Sequence, residues 1–286
     1  MLNRLILGLA AAALGAAGAG AAPTSRDQFS CEPISGLQQL LERPGLRWII
    51  VGEQHGTNEM PAAFVDIVCH AATSKRPVVV AVERPEGEQA AIDAYMESDG
   101  GPKAIAALTA SEMWHDKQMQ DGRGSQAYLQ MLDELRRLHH RGVVERVVAF
   151  QPWRPALEMA KYEETMAQIL QSASSDPNQM VLAFVGNCHA ARLPLCRDKP
   201  AAAYLPSSER LTINVDGSGG TVWNCIVLEG KLKCGSRGLG TAKPPHAPRI
   251  ELMEDPKAHY DAVLLLGGPL SASPPAVAKM DEPTSP

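Results

Sequence analysis

The chain has 286 residues, of which 45% are hydrophobic, 21% charged and 5% aromatic. This is the balance of an ordinary globular protein, so a wholly disordered or collagen-like chain is excluded. Lys and Arg number 27 against 32 Asp and Glu, a formal charge of −5 with no long basic run, which with so few aromatic residues argues against nucleic acid as a partner.

The N-terminus reads as an export signal. Arg4 opens a short basic start, Leu5–Ala17 is apolar, and Ala19-Gly20-Ala21 forms an A-x-A cleavage pattern. The apolar run is short for a membrane span. Residues 1–21 are therefore expected to be a signal peptide, with no stable membrane insertion after cleavage and a periplasmic or secreted product. In such an oxidising compartment six cysteines favour disulfides, and six admit fifteen pairings. Cys225 and Cys234 flank a turn at Glu229-Gly230-Lys231 and can bridge a hairpin. Cys188 and Cys196 flank a short loop, which leaves Cys31 for Cys69.

Beyond the signal, short apolar runs alternate with amphipathic segments. Arg47–Gly52, Pro77–Glu83, Val143–Phe150 and Met180–Gly186 read as buried strands. Met60–Ala72, Glu88–Met96, Lys103–Leu108, Ser125–Arg141 and Pro155–Gln171 read as helices. Gly142 suits a C-cap, and Pro155 suits a first helical turn. Leu211–Val215, Thr221–Leu228 and Tyr260–Leu266 read as further strands without long helices between them. The pattern predicts one α/β domain over 30–270, with a mixed, largely parallel central sheet flanked by helices and antiparallel edges. Residues 271–286, rich in proline, are expected to be a flexible tail.

Three of the buried strands end in polar residues: Gly52-Glu53-Gln54-His55-Gly56-Thr57-Asn58-Glu59, Glu83-Arg84 and Gly186-Asn187-Cys188-His189. In open α/β sheets ligands bind beyond the carboxyl ends of the strands. Glu53, His55, Glu83 and His189 are thus candidate catalytic residues, as an acid/base set or as N/O ligands of one divalent metal. Each has a plainer use too. A Glu after a strand often caps or pairs, and Glu59 suits the first turn of the next helix. Trp114–Ser125 is read as a loop that can cover the cleft, with Arg123 to hold an anionic group and Trp114 as an apolar wall, although Asp121-Gly122 also fits a simple turn. There is no GxSxG elbow, so serine catalysis has no candidate. His70, His139 and His140 fall near helix ends, where the dipole favours a positive charge.

The segments VGEQHGTNEMP, VAVERP, FVGNCHA and YDAVLLLGGPLSASPPA resemble, in matching order, those of the erythromycin esterase/ChaN-like superfamily, to which TraB/TIKI-type proteins are related. The resemblance implies an α/β fold with its site at the strand ends, built from Glu53, His55, Glu83 and His189, with Arg84 and Glu59 as additions. Macrolide esterases usually space the first motif Gly-Glu-x-x-His, whereas this chain has Gly52-Glu53-Gln54-His55. Within the superfamily, esterases hydrolyse a lactone, TraB/TIKI-type proteins are metal-dependent proteases, and ChaN binds haem.

The expected function is hydrolysis of an ester, lactone or amide in a small molecule or peptide. His55 or His189 would activate water, Glu53 and Glu83 would orient that histidine and stabilise its charge, Arg84 or Arg123 would stabilise a developing oxyanion, and Arg84, Arg123, Trp114 and Glu59 would contact substrate. The same four catalytic residues are also the candidate metal ligands. The alternative is a non-enzymatic haem- or metal-binding protein of ChaN type. Haem is disfavoured because most of Tyr95, Tyr128, Tyr162, Tyr204 and Tyr260 fit helix faces or strands rather than an open axial position.

Overall fold

Continuous runs of Val, Ile and Leu, each closed by a glycine, a proline or a polar residue, build the centre of this protein. In the computed structural model, which describes residues 31–74, 76–116, 120–152 and 159–277, these runs are β1 (Trp48–Glu53), β2 (Val78–Pro85), β3 (Val144–Gln151) and β4 (Met180–Gly186). β1, β2 and β4 are buried along their whole length, as strands covered on both faces must be. They are followed by β5 (Arg210–Asp216), β6 (Thr221–Leu228), β7 (Lys231–Gly238), β8 (Arg249–Leu252) and β9 (Ala262–Leu265). The expected signal peptide lies outside the described residues. From Cys31 on, the chain forms one compact unit.

Seven strands form a sheet in the order β3-β2-β4-β1-β5-β9-β8. Every neighbouring pair is parallel except β8–β9. The fold is therefore mixed, largely parallel α/β, as the alternation of apolar runs and helices predicts. The antiparallel edge is β8, while β3 at the other edge runs parallel. One strand departs from the expectation. β6 leaves the sheet altogether and pairs with β7 in a separate two-stranded ladder, because the turn at Glu229-Gly230 returns it directly to its neighbour.

The helices are α1 (Leu37–Leu41), α2 (Glu59–Ala72), α3 (Gln89–Met96), α4 (Pro102–Leu108), α5 (Glu112–His115), α6 (Gln126–His140), α7 (Met159–Ser172) and α8 (Asn187–Ala190). α6 shows how sequence sets them. Ser125 accepts the Tyr128 N–H at 3.2 Å as its N-cap, and Tyr128, Met131, Leu132, Leu135 and Leu138 are buried along one stripe. Gly142, at φ 71°, then lets the Val143 N–H return to the Leu138 carbonyl at 2.9 Å, which ends the helix. Pro155 lies outside the described residues. α1, α5 and α8 are too short to show a period and were not expected. Among the described residues no helix is long and apolar enough to cross a membrane.

Cys31–Cys69, Cys188–Cys196 and Cys225–Cys234 are disulfides. Residues 271–277, expected to belong to a flexible tail, are held in place. Ser273 is fully buried, its N–H donates to the Gly56 carbonyl, and the Ala276 N–H donates to Gly124, both at 2.9 Å. Extended, proline-rich backbone here seals the loops at the strand ends instead of trailing free.

One glycine fixes how α8 meets β1. A Cβ on Gly52 would lie 2.8 Å from the Ala190 Cβ and 3.1 Å from the Asn187 Cα. Gly52→Ala is expected to lower stability by about 1–3 kcal/mol through overpacking, measured as a lower urea midpoint at unchanged slope. An unchanged midpoint would mean that α8 yields freely.

Candidate functional site

Parallel register brings the strand ends together, with Glu53 of β1 beside Gly186 of β4. Glu53 is buried, and its Oε1 lies 2.7 Å from His55 Nδ1. Its Oε2 is also buried and has no hydrogen-bond partner. Burial raises the pKa of Glu53, and His55 opposes that rise only in part.

Glu83, at the end of β2, is the hub. Its Oε2 accepts the Gly186 N–H at 2.7 Å and lies 3.4 Å from His55 Nε2. Its Oε1 accepts from the Arg123 guanidinium at 3.0 Å. Burial alone would push the carboxyl up, but Arg123 and then His55 hold it well below the usual carboxylate range. Burial works against charge on His55, yet Glu53 and then Glu83 outweigh it and raise the imidazole to about 10. His55 is thus an imidazolium at neutral pH, held between two carboxyl groups. Gly186 makes room for it, since a Cβ there would lie 3.0 Å from His55 Nε2.

A second histidine faces this pair. His189 sits on α8, and its Nδ1 lies 2.8 Å from Glu163 Oε1 on α7. Glu163 also accepts the Ala201 N–H at 2.9 Å. A carboxylate on Nδ1 keeps the proton there and leaves Nε2 as the basic nitrogen. That Nε2 lies 3.9 Å from Glu83 Oε1.

Five of the expected residues thus come together: Glu53, His55, Glu83, His189 and Arg123. Three do not. Arg84 follows Glu83 on the strand, so it points to the opposite face. It is fully buried, pairs with Glu88 at 2.7 Å, donates to the Arg123 carbonyl at 2.8 Å and lies over the Trp114 ring at 4.3 Å. Trp114 is itself buried and forms no open wall. Arg84 and Trp114 therefore hold the loop that carries Arg123. Glu59, in the first turn of α2, accepts the Ser271 N–H at 2.8 Å and ties the C-terminal segment down.

Four residues of the arrangement were not expected. Asp121 accepts from Arg123 Nε at 3.0 Å, and Gln151 accepts from Arg123 NH1 at 2.9 Å. With Glu83 they occupy nearly every N–H of that guanidinium, so Arg123 has little left for an oxyanion. Gln151 ends β3, and the rule that picked out the other strand exits would have found it. Glu163 and Tyr162 lie inside an amphipathic helix, where nothing local distinguishes them from a solvated face. Burial and then Glu83 raise Tyr162 to about 12, so its hydroxyl stays a neutral donor.

The donor set does not fit the expected metal. Both ring nitrogens of His55 face carboxyl groups, and Glu83 is taken up by a guanidinium and a backbone N–H. Among the described residues no group of three or more His, Cys, Asp or Glu is arranged to hold a metal ion. Beside Arg123 and Gln151 opens a cavity of 320 Å³, walled also by Pro85, Gly87, Ser111 and Met113. This is the lower end of the roughly 300–1,000 Å³ of small-molecule sites.

No family model matches the chain, and no curated protein matches it. Solved structures do. A mutant of erythromycin esterase EreC in its open conformation superposes with a TM-score of 0.61 at 10% identity, covering 81% of this chain and 92% of that one. A succinoglycan biosynthesis protein gives 0.60 at 9% identity over 83% and 91%. A Bacillus cereus protein gives 0.54 at 10% identity over 87% and 95%. The chain therefore has the α/β fold that these three proteins share, the erythromycin esterase among them.

Proposed function

We propose that this protein is an exported hydrolase that cleaves an ester, lactone or amide in a small molecule or peptide at the carboxyl ends of β1, β2 and β4. The observation that carries the reading is the pairing of His189 with Glu163 opposite the Glu53–His55–Glu83 set, with Nε2 of His189 3.9 Å from Glu83. His189 is the base. Its Nε2 takes a proton from water while Glu163 holds Nδ1–H and balances the imidazolium that forms, as a carboxylate orients histidine in a triad. The hydroxide adds to the acyl carbon. His55, already protonated, is the acid: its Nε2–H rests against Glu83 at a loose 3.4 Å and passes to the leaving alkoxide or amine. Glu53 and Glu83 keep that proton available. The 320 Å³ cavity, which shares Arg123 and Gln151 with this arrangement, is the candidate substrate pocket. Three disulfides support an oxidising compartment, periplasmic or extracellular.

The test is turnover of an ester, lactone and amide panel by wild type beside His189→Ala. Losing a general base is expected to lower kcat by about 10²–10⁴-fold, and a chelator should leave wild-type turnover unchanged. Equal turnover in both proteins would reject the assignment. No turnover on any substrate, with a Soret band on adding haemin, would favour the haem-binding alternative.

A further inference from the structure

We infer that the β6–β7 hairpin is a docking surface for a membrane that carries anionic lipids. A two-stranded hairpin is marginal in water by itself, yet this one stands as its own ladder. It is closed by a disulfide between the directly paired Cys225 and Cys234. Its root is fixed to the site loop, with the Trp223 N–H donating to the Gly56 carbonyl at 2.9 Å. Its tip is a two-residue turn, Glu229 at φ 52° and Gly230 at φ 73°. The staple and the tight turn hold that tip in one shape.

The tip presents apolar surface to solvent. Val227 is 68% exposed, Leu232 44% and Leu228 40%, three of the most exposed large hydrophobic residues described. Val227 pairs with Leu232. Both fall on the same face as the disulfide, because residues two apart on a strand share a face. Lys231 lies opposite Leu228, and Lys233 opposite Ile226. Residues 221–238 hold Lys231, Lys233 and Arg237 against Glu229, a net +2 in a chain of −5.

Exposed aliphatic side chains flanked by cations fit a lipid surface. The aliphatic groups enter the acyl boundary, and the lysine stems extend to anionic headgroups. The same lysines argue against a second copy at this tip. A two-fold pairing of tips would bring like charges together, and lysine on an edge strand discourages strand addition.

The test is co-sedimentation of the full chain with phosphatidylcholine vesicles, with and without phosphatidylglycerol, at low and at physiological salt. Wild type is expected in the pellet with the anionic vesicles and less so at higher salt. Lys231→Gln with Lys233→Gln should lower the partition coefficient about 25-fold, two charges at roughly fivefold each. Val227→Ser with Leu228→Ser and Leu232→Ser should abolish binding. Because the variants keep residues 1–30, the difference reports the hairpin alone. Should the serine variant fail to fold, the glutamine variant decides, since it removes no apolar contact. Wild type that stays in the supernatant, variants that bind as wild type does, or a wild-type dimer that the serine variant loses would each overturn the proposal.

Discussion

Glu83→Gln is expected to be the most damaging conservative change in this protein, lowering stability by about 3–5 kcal/mol and removing turnover. The amide keeps the size of the side chain and one acceptor oxygen, so the loss comes from charge. In the wild type one buried carboxylate answers the Arg123 guanidinium at 3.0 Å, the Gly186 N–H at 2.7 Å and His55 at 3.4 Å. Without it, Arg123 has Asp121 alone as a charged partner and His55 loses one of the two groups that hold its proton. Breaking one side of a buried pair leaves an uncompensated charge, which is why it costs more than an exposed pair contributes. Glu59→Gln is the contrast, because Glu59 reaches only the C-terminal segment, and its effect should be far smaller. The pH dependence separates this account from a packing defect. The pKa of Glu83 is depressed in the folded state from 4.5, so its contribution is present above about pH 4.5 and fades as pH falls through the lowered value. The gap between wild type and variant in urea unfolding should therefore narrow in acid. A gap that is constant with pH would show that the carboxylate charge is not what stabilises the fold.

Much of this arrangement is legible from the sequence because parallel strands carry their chemistry at a fixed place. Apolar runs that stop abruptly at Gly52-Glu53, Glu83 and Gly186 mark both the strands and the side of the sheet where a site forms. The order of the strands is not legible in that way, since it depends on pairings between distant segments. Nor is the departure of β6, whose apolar sequence suits either ladder. Each departure at the site has one source. Sequence adjacency groups Arg84 with Glu83, but adjacent residues of a strand face opposite ways. Glu163 reads as one more charge on a helix and gains its role only when α7 packs beside α8. Metal ligation follows from residue types alone. Distances redirect it, because imidazoles and carboxyl groups that already satisfy one another have few lone pairs left to offer.

Removing the imidazolium should flatten the alkaline limb of the stability profile. Burial disfavours charge on His55, but Glu53 at 2.7 Å and Glu83 at 3.4 Å raise its pKa from 6.5 to about 10. A folded-state pKa above the unfolded one means that the folded protein binds the proton more tightly. The stability this gives is complete below about pH 6.5 and is lost as pH climbs through about 10. Wild type should therefore lose stability steadily across that window. His55→Gln, which keeps a hydrogen-bonding side chain but cannot titrate, should lose much less. The measurement is the urea midpoint at intervals from pH 6 to 10 for both proteins. Parallel curves would mean that His55 is neutral in the folded state, and would deprive the proposed mechanism of its acid. The same experiment bears on Glu53. Its Oε2 is buried without a partner, so it depends on the His55 proton for the compensation its burial requires. If His55 is the acid, the two residues should act as a unit. His55→Gln combined with Glu53→Gln should then cost less than the two single changes added together, because once the imidazolium is gone the buried carboxylate is a liability and its neutral amide is not.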